Sequence, residues 1–230
     1  MDRDAAKQTA GKAAATLVRD GMCLGLGTGS TTAYALEAIG RRRKDEGLDV
    51  RGVPTSLGAE RLARRHGIPL TTLDENPQLD LGIDGADEVD PSLSLIKGGG
   101  GAHTREKVVA TQCERFVVIV DPSKTVEQLG ATHPLPVEVV PMAVTPVSQA
   151  LADLGADPEL RMAEAKDGPA VTDQGFWLVD AHFPDGIPDP EGINRTLNAQ
   201  PGILDHGLFL NVATDAIVGH PDGDITRRAP

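Results

Sequence analysis

Four short apolar runs in this chain each end in glycine, hydroxyl or charged residues, and that repetition restricts the folds open to it. Residues 22–26 run into Gly25-Leu26-Gly27-Thr28-Gly29-Ser30-Thr31-Thr32, and residues 79–84 into Asp84-Gly85-Ala86-Asp87-Glu88. Residues 93–97 run into Lys97-Gly98-Gly99-Gly100-Gly101, and residues 116–120 into Asp121-Pro122-Ser123-Lys124. A run as apolar as Phe116-Val117-Val118-Ile119-Val120 suits a strand covered on both faces, as in a parallel sheet. Such strands need crossover connections, and helical periodicity at residues 4–20, 30–46 and 104–113 supplies them. Gly47 stops the second of these helices, and Ser56 is placed to cap another that runs to His66. The class predicted is α/β, a Rossmann-like three-layer αβα sandwich. In such open sheets ligands bind outside the carboxyl ends of the strands, where the polar clusters fall.

Beyond residue 129 the texture changes. Pro134, Pro136, Pro141 and Pro146 bracket a strand at 137–140. A helix at 147–154, strands near 160–163, 171 and 176–181, and a helix at 191–199 follow. This order predicts a smaller inserted α+β domain of the ferredoxin-like kind. Two last strands, 208–212 and 216–218, are expected to rejoin the first sheet. The domains predicted are therefore 1–129 plus 205–230, carrying catalysis, and 130–204.

The formal net charge of −12 argues against nucleic acid as a partner, because a phosphate backbone needs a basic surface. An anionic substrate then requires positive charge gathered locally against the global field. The two cysteines, Cys23 and Cys113, read as core thiols, and the six histidines show no metal-ligand spacing. No apolar stretch is long enough for a membrane span, and the N-terminal residues lack the pattern of a secretory signal. A cytoplasmic chain without metal or membrane partner is expected.

Each polar cluster has a plain reading beside a functional one. Thr28, Gly29, Ser30 and Thr31 open a helix, where unpaired N–H groups and hydroxyls suit a phosphate; a simple capped turn would look the same. The dinucleotide fingerprint fails, because its third glycine falls on Ser30, and the P-loop lysine is missing. Asp84, Gly85, Ala86 and Asp87 offer acid–base groups or merely a turn. Gly98, Gly99 and Gly100 allow a ligand close to the backbone, or a flexible loop. Glu106 is a base or a dipole-favoured surface carboxylate. Lys97 and Lys124 are site cations or solvated lysines. Jointly they describe a site for a small, hydroxyl-rich phosphate ester.

Taken together, Gly27-Thr28-Gly29-Ser30-Thr31, Asp84-Gly85-Ala86-Asp87-Glu88, Lys97-Gly98-Gly99-Gly100 and Thr104-Arg105-Glu106-Lys107 resemble the signature blocks of the type A ribose-5-phosphate isomerases. Asp121-Pro122-Ser123-Lys124, Pro134-Leu135-Pro136-Val137-Glu138-Val139, Pro201-Gly202-Ile203 and His206-Gly207-Leu208-Phe209 extend the resemblance almost to the C-terminus. Gly101, His103 and the turn Asp173-Gln174-Gly175 depart from the family pattern. The resemblance implies an aldose–ketose isomerase of the pentose phosphate pathway, without cofactor or metal, working as a homodimer or homotetramer on a small sugar phosphate. It implies Glu106 as general base and substrate contacts from Thr28 to Thr31, Asp84 to Asp87, Lys97 to Gly100, and Lys124. Asp84 or Asp87 would move protons during ring opening, and Lys97 would stabilise the enediolate oxygen. The alternative is a sugar-phosphate sensor of the same fold group that binds without turnover.

Overall fold

The structure, a computed structural model, describes residues 2–229. The strands are β1 (Cys23–Leu26), β2 (Arg51–Pro54), β3 (Leu79–Asp84), β4 (Glu88–Val89), β5 (Leu95–Ile96), β6 (Cys113–Val120), β7 (Leu135–Val139), β8 (Asp157–Leu160), β9 (Trp177–His182), β10 (Ile203–His206), β11 (Leu208–Phe209), β12 (Asp215–Gly219) and β13 (Ile225–Arg228). The α-helices are α1 (Arg3–Ala15), α2 (Ser30–Glu46), α3 (Leu57–Arg65), α4 (His103–Ala110), α5 (Val144–Asp153) and α6 (Pro190–Ala199). The chain forms two compact units. The first takes the described residues up to Ala86, Arg105–Thr125 and those from Asn211 on; the second takes Asp87–Thr104 and Val126–Leu210.

The first unit is a six-stranded sheet in the order β13-β12-β6-β3-β1-β2, parallel except for β13. Side chains alternate across it. Leu24, Leu26, Leu81, Ile83, Val117 and Ile119 share a core with Ala10 and Ala14 of α1, Leu36 and Ile39 of α2, and Ala63 of α3. Cys23 and Val53 share a separate cluster with Val109 of α4. A sheet covered by different helices on its two faces is the αβα sandwich expected. β6 lies between β3 and β12, and its residues Phe116–Val120 are all buried. Truncating one such side chain, Ile119 for example, should cost about 2–5 kcal/mol. α1 ends sooner than the periodicity predicts. Its backbone tightens to i→i−3 bonds at Thr16, Leu17 and Val18, so Val18 stays in the core without continuing the helix.

The second unit holds a four-stranded antiparallel sheet in the order β10-β7-β9-β8. With α5 after β7 and α6 after β9, this is the βαββαβ ferredoxin-like pattern. Its core joins Val137 and Val139 to Val147 and Leu151 of α5 and to Ile193 and Leu197 of α6. A three-stranded sheet, β11-β5-β4, belongs to the same unit.

That small sheet departs from the expected division. The runs at 93–97 and 208–212 were expected in the large sheet, but only Leu95–Ile96 and Leu208–Phe209 are strands, and they pair with each other. Leu93 at φ 61° and Asn211 at φ 57° explain the shortening, since neither backbone is extended. The second unit therefore takes 87–104, 126–129 and 205–210 as well as 130–204. Among the described residues no helix is long and apolar enough to cross a membrane.

Candidate active site

In the first unit β1 lies between β2 and β3. The chain leaves β1 toward one neighbour and later returns on its other side. This is the topological switch point at which open α/β sheets bind ligands. The strand ends there carry Gly27 to Thr31 after β1 and Asp84 at the end of β3. Next along the same edge, β6 runs into Asp121 and the 3₁₀ turn Pro122–Lys124.

The β1–α2 turn is held tightly. Gly27 N–H donates to the Ile83 carbonyl at 3.0 Å. A Cβ on Gly27 would lie 2.4 Å from the Asp84 carboxyl group and from that same carbonyl oxygen, so only glycine fits. Asp84, 1% exposed, accepts on Oδ1 from Thr28 N–H at 2.9 Å and from Gly85 N–H at 2.7 Å. Gly29, at φ 112°, precedes α2 and offers no side-chain cap. The first turn of a 17-residue helix thus opens with Ser30 exposed, Thr31 half-buried and backbone donors aimed outward. Sequence reasoning missed two further hydroxyls. Thr28 Oγ1 lies 2.7 Å from Thr55 Oγ1 and donates to Ser56 Oγ at 2.7 Å. Ser56 also caps α3 by accepting from Ala59 N–H at 2.9 Å, the role read from sequence. The signal for Thr55 was its place directly after β2, on the same sheet edge.

Glu106 sits in the first turn of α4 and is buried. The sequence left open a surface carboxylate; burial removes that reading, since a carboxylate is rarely taken out of water without a task or partner. Lys124 is half-buried and closes the 3₁₀ turn that Asp121 caps through Ser123 N–H at 2.9 Å. The Cys113 thiol is pushed up to about 12, first by burial, then by the negative charge of Asp84 and by Cys23. It stays neutral and is no nucleophile at ordinary pH.

Asp87, Lys97 and Gly98–Gly100 belong to the second unit, not to the edge of the large sheet as expected for Lys97. The structure brings these residues together locally. Asp87 Oδ2 accepts from Gly99 N–H at 2.7 Å, and Asp87 N–H donates to the Ile96 carbonyl at 2.8 Å. Lys97 is buried, with Nζ 5.6 Å from the centre of the Phe209 ring. Gly98 (φ 103°) and Gly101 (φ 71°) use backbone regions that favour glycine, and a Cβ on Gly98 would also meet His103 Nδ1 at 2.5 Å. Glu88 stands apart from these residues. Its buried carboxylate accepts from the backbone N–H groups of Gly130, Thr132 and His133, which makes it a structural anchor. Among the described residues no cluster of histidine, cysteine and carboxylate could hold a metal ion.

Fold and site together define a class: an α/β protein whose switch-point turn offers hydroxyls and a helix N-terminus to an anion, with a buried carboxylate on a neighbouring helix. The family model for ribose 5-phosphate isomerase A (phosphoriboisomerase A) matches residues 51–223. The chain is 56% identical to ribose-5-phosphate isomerase A of Thermosynechococcus vestitus, over 93% of this chain and 90% of that protein. A solved D-ribose-5-phosphate isomerase in complex with phospho-erythronic acid superposes with a TM-score of 0.96 at 41% identity, covering all of both chains. Ribose 5-phosphate isomerase A from Methanocaldococcus jannaschii gives a TM-score of 0.93 at 42% identity, over 97% of this chain and 98% of that one. The chain belongs to the ribose 5-phosphate isomerase A family.

Proposed function

We propose that this chain interconverts D-ribose 5-phosphate and D-ribulose 5-phosphate through a cis-enediolate, a step of the non-oxidative pentose phosphate pathway. Near full-length similarity to isomerases is the observation that carries the activity. Burial of Glu106 in the first turn of α4 supports it as the group that moves the proton between C2 and C1. Thr28 to Thr31 and Lys124 hold non-reacting parts of the substrate, with the helix N-terminus favouring a phosphate. Asp84 and Asp87 serve ring opening, Lys97 stabilises the enediolate oxygen, and Gly98 to Gly100 give backbone contacts. A relative's complex with phospho-erythronic acid, a small phosphorylated acid, supports a ligand of this size and charge.

The direct test is conversion of ribose 5-phosphate by the purified chain, with exchange of the C2 hydrogen for solvent deuterium as a second readout. Binding without either would leave a sensor in place of an enzyme. We further propose a cytoplasmic homodimer or homotetramer whose turnover needs no cofactor and survives EDTA. Light scattering at the 24.1 kDa of one chain, or activity that returns only with an added divalent ion, would each count against that.

A further inference from the structure

We propose that Arg161 is a positioning residue for the reaction: it fixes two consecutive carbonyls of the glycine loop and so turns the Gly100 N–H outward as a substrate donor. All the groups involved lie in the second unit. The backbone of Arg161 is tied down on both sides, its N–H donating to the Leu178 carbonyl and its carbonyl accepting from Ala170 N–H, each at 2.8 Å. Its guanidinium is gripped by Asp180 of β9, with Nε donating to Oδ2 at 2.7 Å and Nη2 to Oδ1. The two side chains are only 19% and 16% exposed, so this pair is screened less than a surface ion pair. The remaining edge of the fork, Nη1, donates to the carbonyls of Gly98 at 3.1 Å and Gly99 at 3.0 Å.

Those bonds determine peptide orientation. The Gly98–Gly99 peptide is pinned at both ends, by Arg161 on its carbonyl and by Asp87 on its N–H. The Gly99–Gly100 peptide is trans, since the described chain contains no cis bond, so its N–H points opposite to its carbonyl. With the Gly99 carbonyl held by Arg161, the Gly100 N–H must face away from the guanidinium. Gly100 is exposed, and a Cβ there would meet nothing within 4 Å, so the residue is open to an approaching ligand. The loop's own bond, Gly101 N–H to the Gly98 carbonyl at 2.9 Å, does not fix the Gly99–Gly100 peptide between them, and without Arg161 a substrate would have to order that peptide on binding. Lysine cannot replace this arrangement fully, because one ammonium lacks the planar fork that serves a carboxylate and two carbonyls together.

This inference rests on the proposed substrate role of Gly98 to Gly100, and its test keeps the two apart. Hydrogen exchange of the Gly99 and Gly101 amides, bonded to Asp87 and to the Gly98 carbonyl, reads the loop without any substrate. In Arg161→Met these amides should exchange at least about tenfold faster, while amides of β7 and β9 stay protected. KM for ribose 5-phosphate should rise about tenfold or more with a smaller change in kcat, and Arg161→Lys should recover part of both effects. Asp180→Asn, which frees the guanidinium while keeping the shape, should loosen the loop in the same direction and stands in should Arg161→Met fail to fold. A folded Arg161→Met or Asp180→Asn chain with unchanged loop exchange overturns the proposal. Faster loop exchange with unchanged KM overturns its functional half. A wild-type chain that never turns over ribose 5-phosphate sinks the isomerase reading instead, and the exchange measurement still decides the role of Arg161 in the loop.

Discussion

Two glycine turns, one in each unit, are held in place by different means. Gly27 to Gly29 is fixed by its own neighbourhood: a parallel strand accepts from Gly27 N–H, the Asp84 carboxylate fills the space a Cβ would need, and α2 begins at once. Gly98 to Gly101 is fixed by polar groups from elsewhere in the chain, Asp87 on one side and Arg161 with Asp180 on the other. The first turn is rigid because it is packed. The second closes one hydrogen bond of its own, Gly101 N–H to the Gly98 carbonyl at 2.9 Å, and otherwise depends on its clamps. Function that depends on the second can therefore be adjusted by side-chain substitution without reshaping a core, whereas change at the first disturbs the sheet itself.

The largest expected effect belongs to neither turn, and it sets the scale for both. Glu106→Gln keeps shape and hydrogen bonding but cannot take the C2 proton. Turnover should fall by roughly 10²–10⁴-fold with KM little changed, and solvent exchange at C2 should vanish while substrate still binds. Near-normal kcat in this variant would move the base to Asp84 or Asp87.

A methyl group then separates the turns by stability. Gly27→Ala places Cβ against a backbone carbonyl and a buried carboxylate that is itself bonded to two N–H groups. Overpacking of this kind costs about 1–3 kcal/mol or more, so the melting temperature should drop by at least about 2 °C in a chain of this size. Gly100→Ala meets open space at a φ outside the left-handed region, so its stability should stay within about 0.5 kcal/mol of wild type. Its KM should nonetheless rise, because the methyl stands on a residue proposed to meet the substrate. Equal melting temperatures for the two variants would break the contrast between packed and clamped turns.

Thr31→Ala and Lys124→Ala probe groups on the first unit's sheet edge. Both are proposed to hold parts of the substrate that do not react. Losing such a contact to a charged group costs about 1.5–3 kcal/mol, so KM should rise roughly ten- to hundredfold with kcat nearly intact. A fall in kcat with KM unchanged would instead give either residue a part in the transition state.

How much of this was legible depended on the range of the interactions involved. The helix at 30–46 and the strand at 79–84 are observed with the expected bounds, because local chemistry decides them: Gly47 adopts φ 75° to stop the helix, and a run of alternating apolar residues ends at Asp84. The runs at 93–97 and 208–212 looked equally apolar but are cut by Leu93 and Asn211 at positive φ; Asn favours that region, but nothing in the local sequence announces it for Leu93. Asp90 sets the first of these, its carboxylate accepting from both Ser92 and Ser94 N–H at 2.8 Å. β10 and β13 were missed. β13 is an edge strand with Ile225, Thr226 and Arg227 exposed, so it carries no alternation to read. The site residues on the first unit's sheet edge were visible because strand ends bear them. Arg161 and Asp180 were not, for they act on a loop some sixty to eighty residues away in sequence and leave no local pattern.

The smallest expected effect lies at the start of β6 and β12, the opposite end of the strands from the Gly27 turn, where Arg115 and Asp215 form a two-bond ion pair, Nε to Oδ2 at 2.8 Å and Nη2 to Oδ1 at 2.9 Å. The Asp215 carboxyl is held below the usual range, first by the hydrogen bond from Arg115, against the opposing effect of burial, with help from Thr214 and the charge of Arg227. A carboxyl depressed in the folded state contributes stability that is full above its unfolded pKa of about 3.9 and is lost as pH falls through the lower folded value. Arg115 is pushed the other way, above a value already beyond ordinary pH, and adds no pH dependence in this range. The side chains are 40% and 26% exposed, so solvent screening keeps the contribution small. Asp215→Asn should therefore lower the urea midpoint slightly at pH 7, and the difference from wild type should shrink toward zero as pH drops below about 4. Loop exchange at Gly99 and Gly101 and KM should not move, since neither turn bonds to this pair. A wild-type-minus-variant difference that grows on acidification would show that Asp215 is not stabilised by its charge.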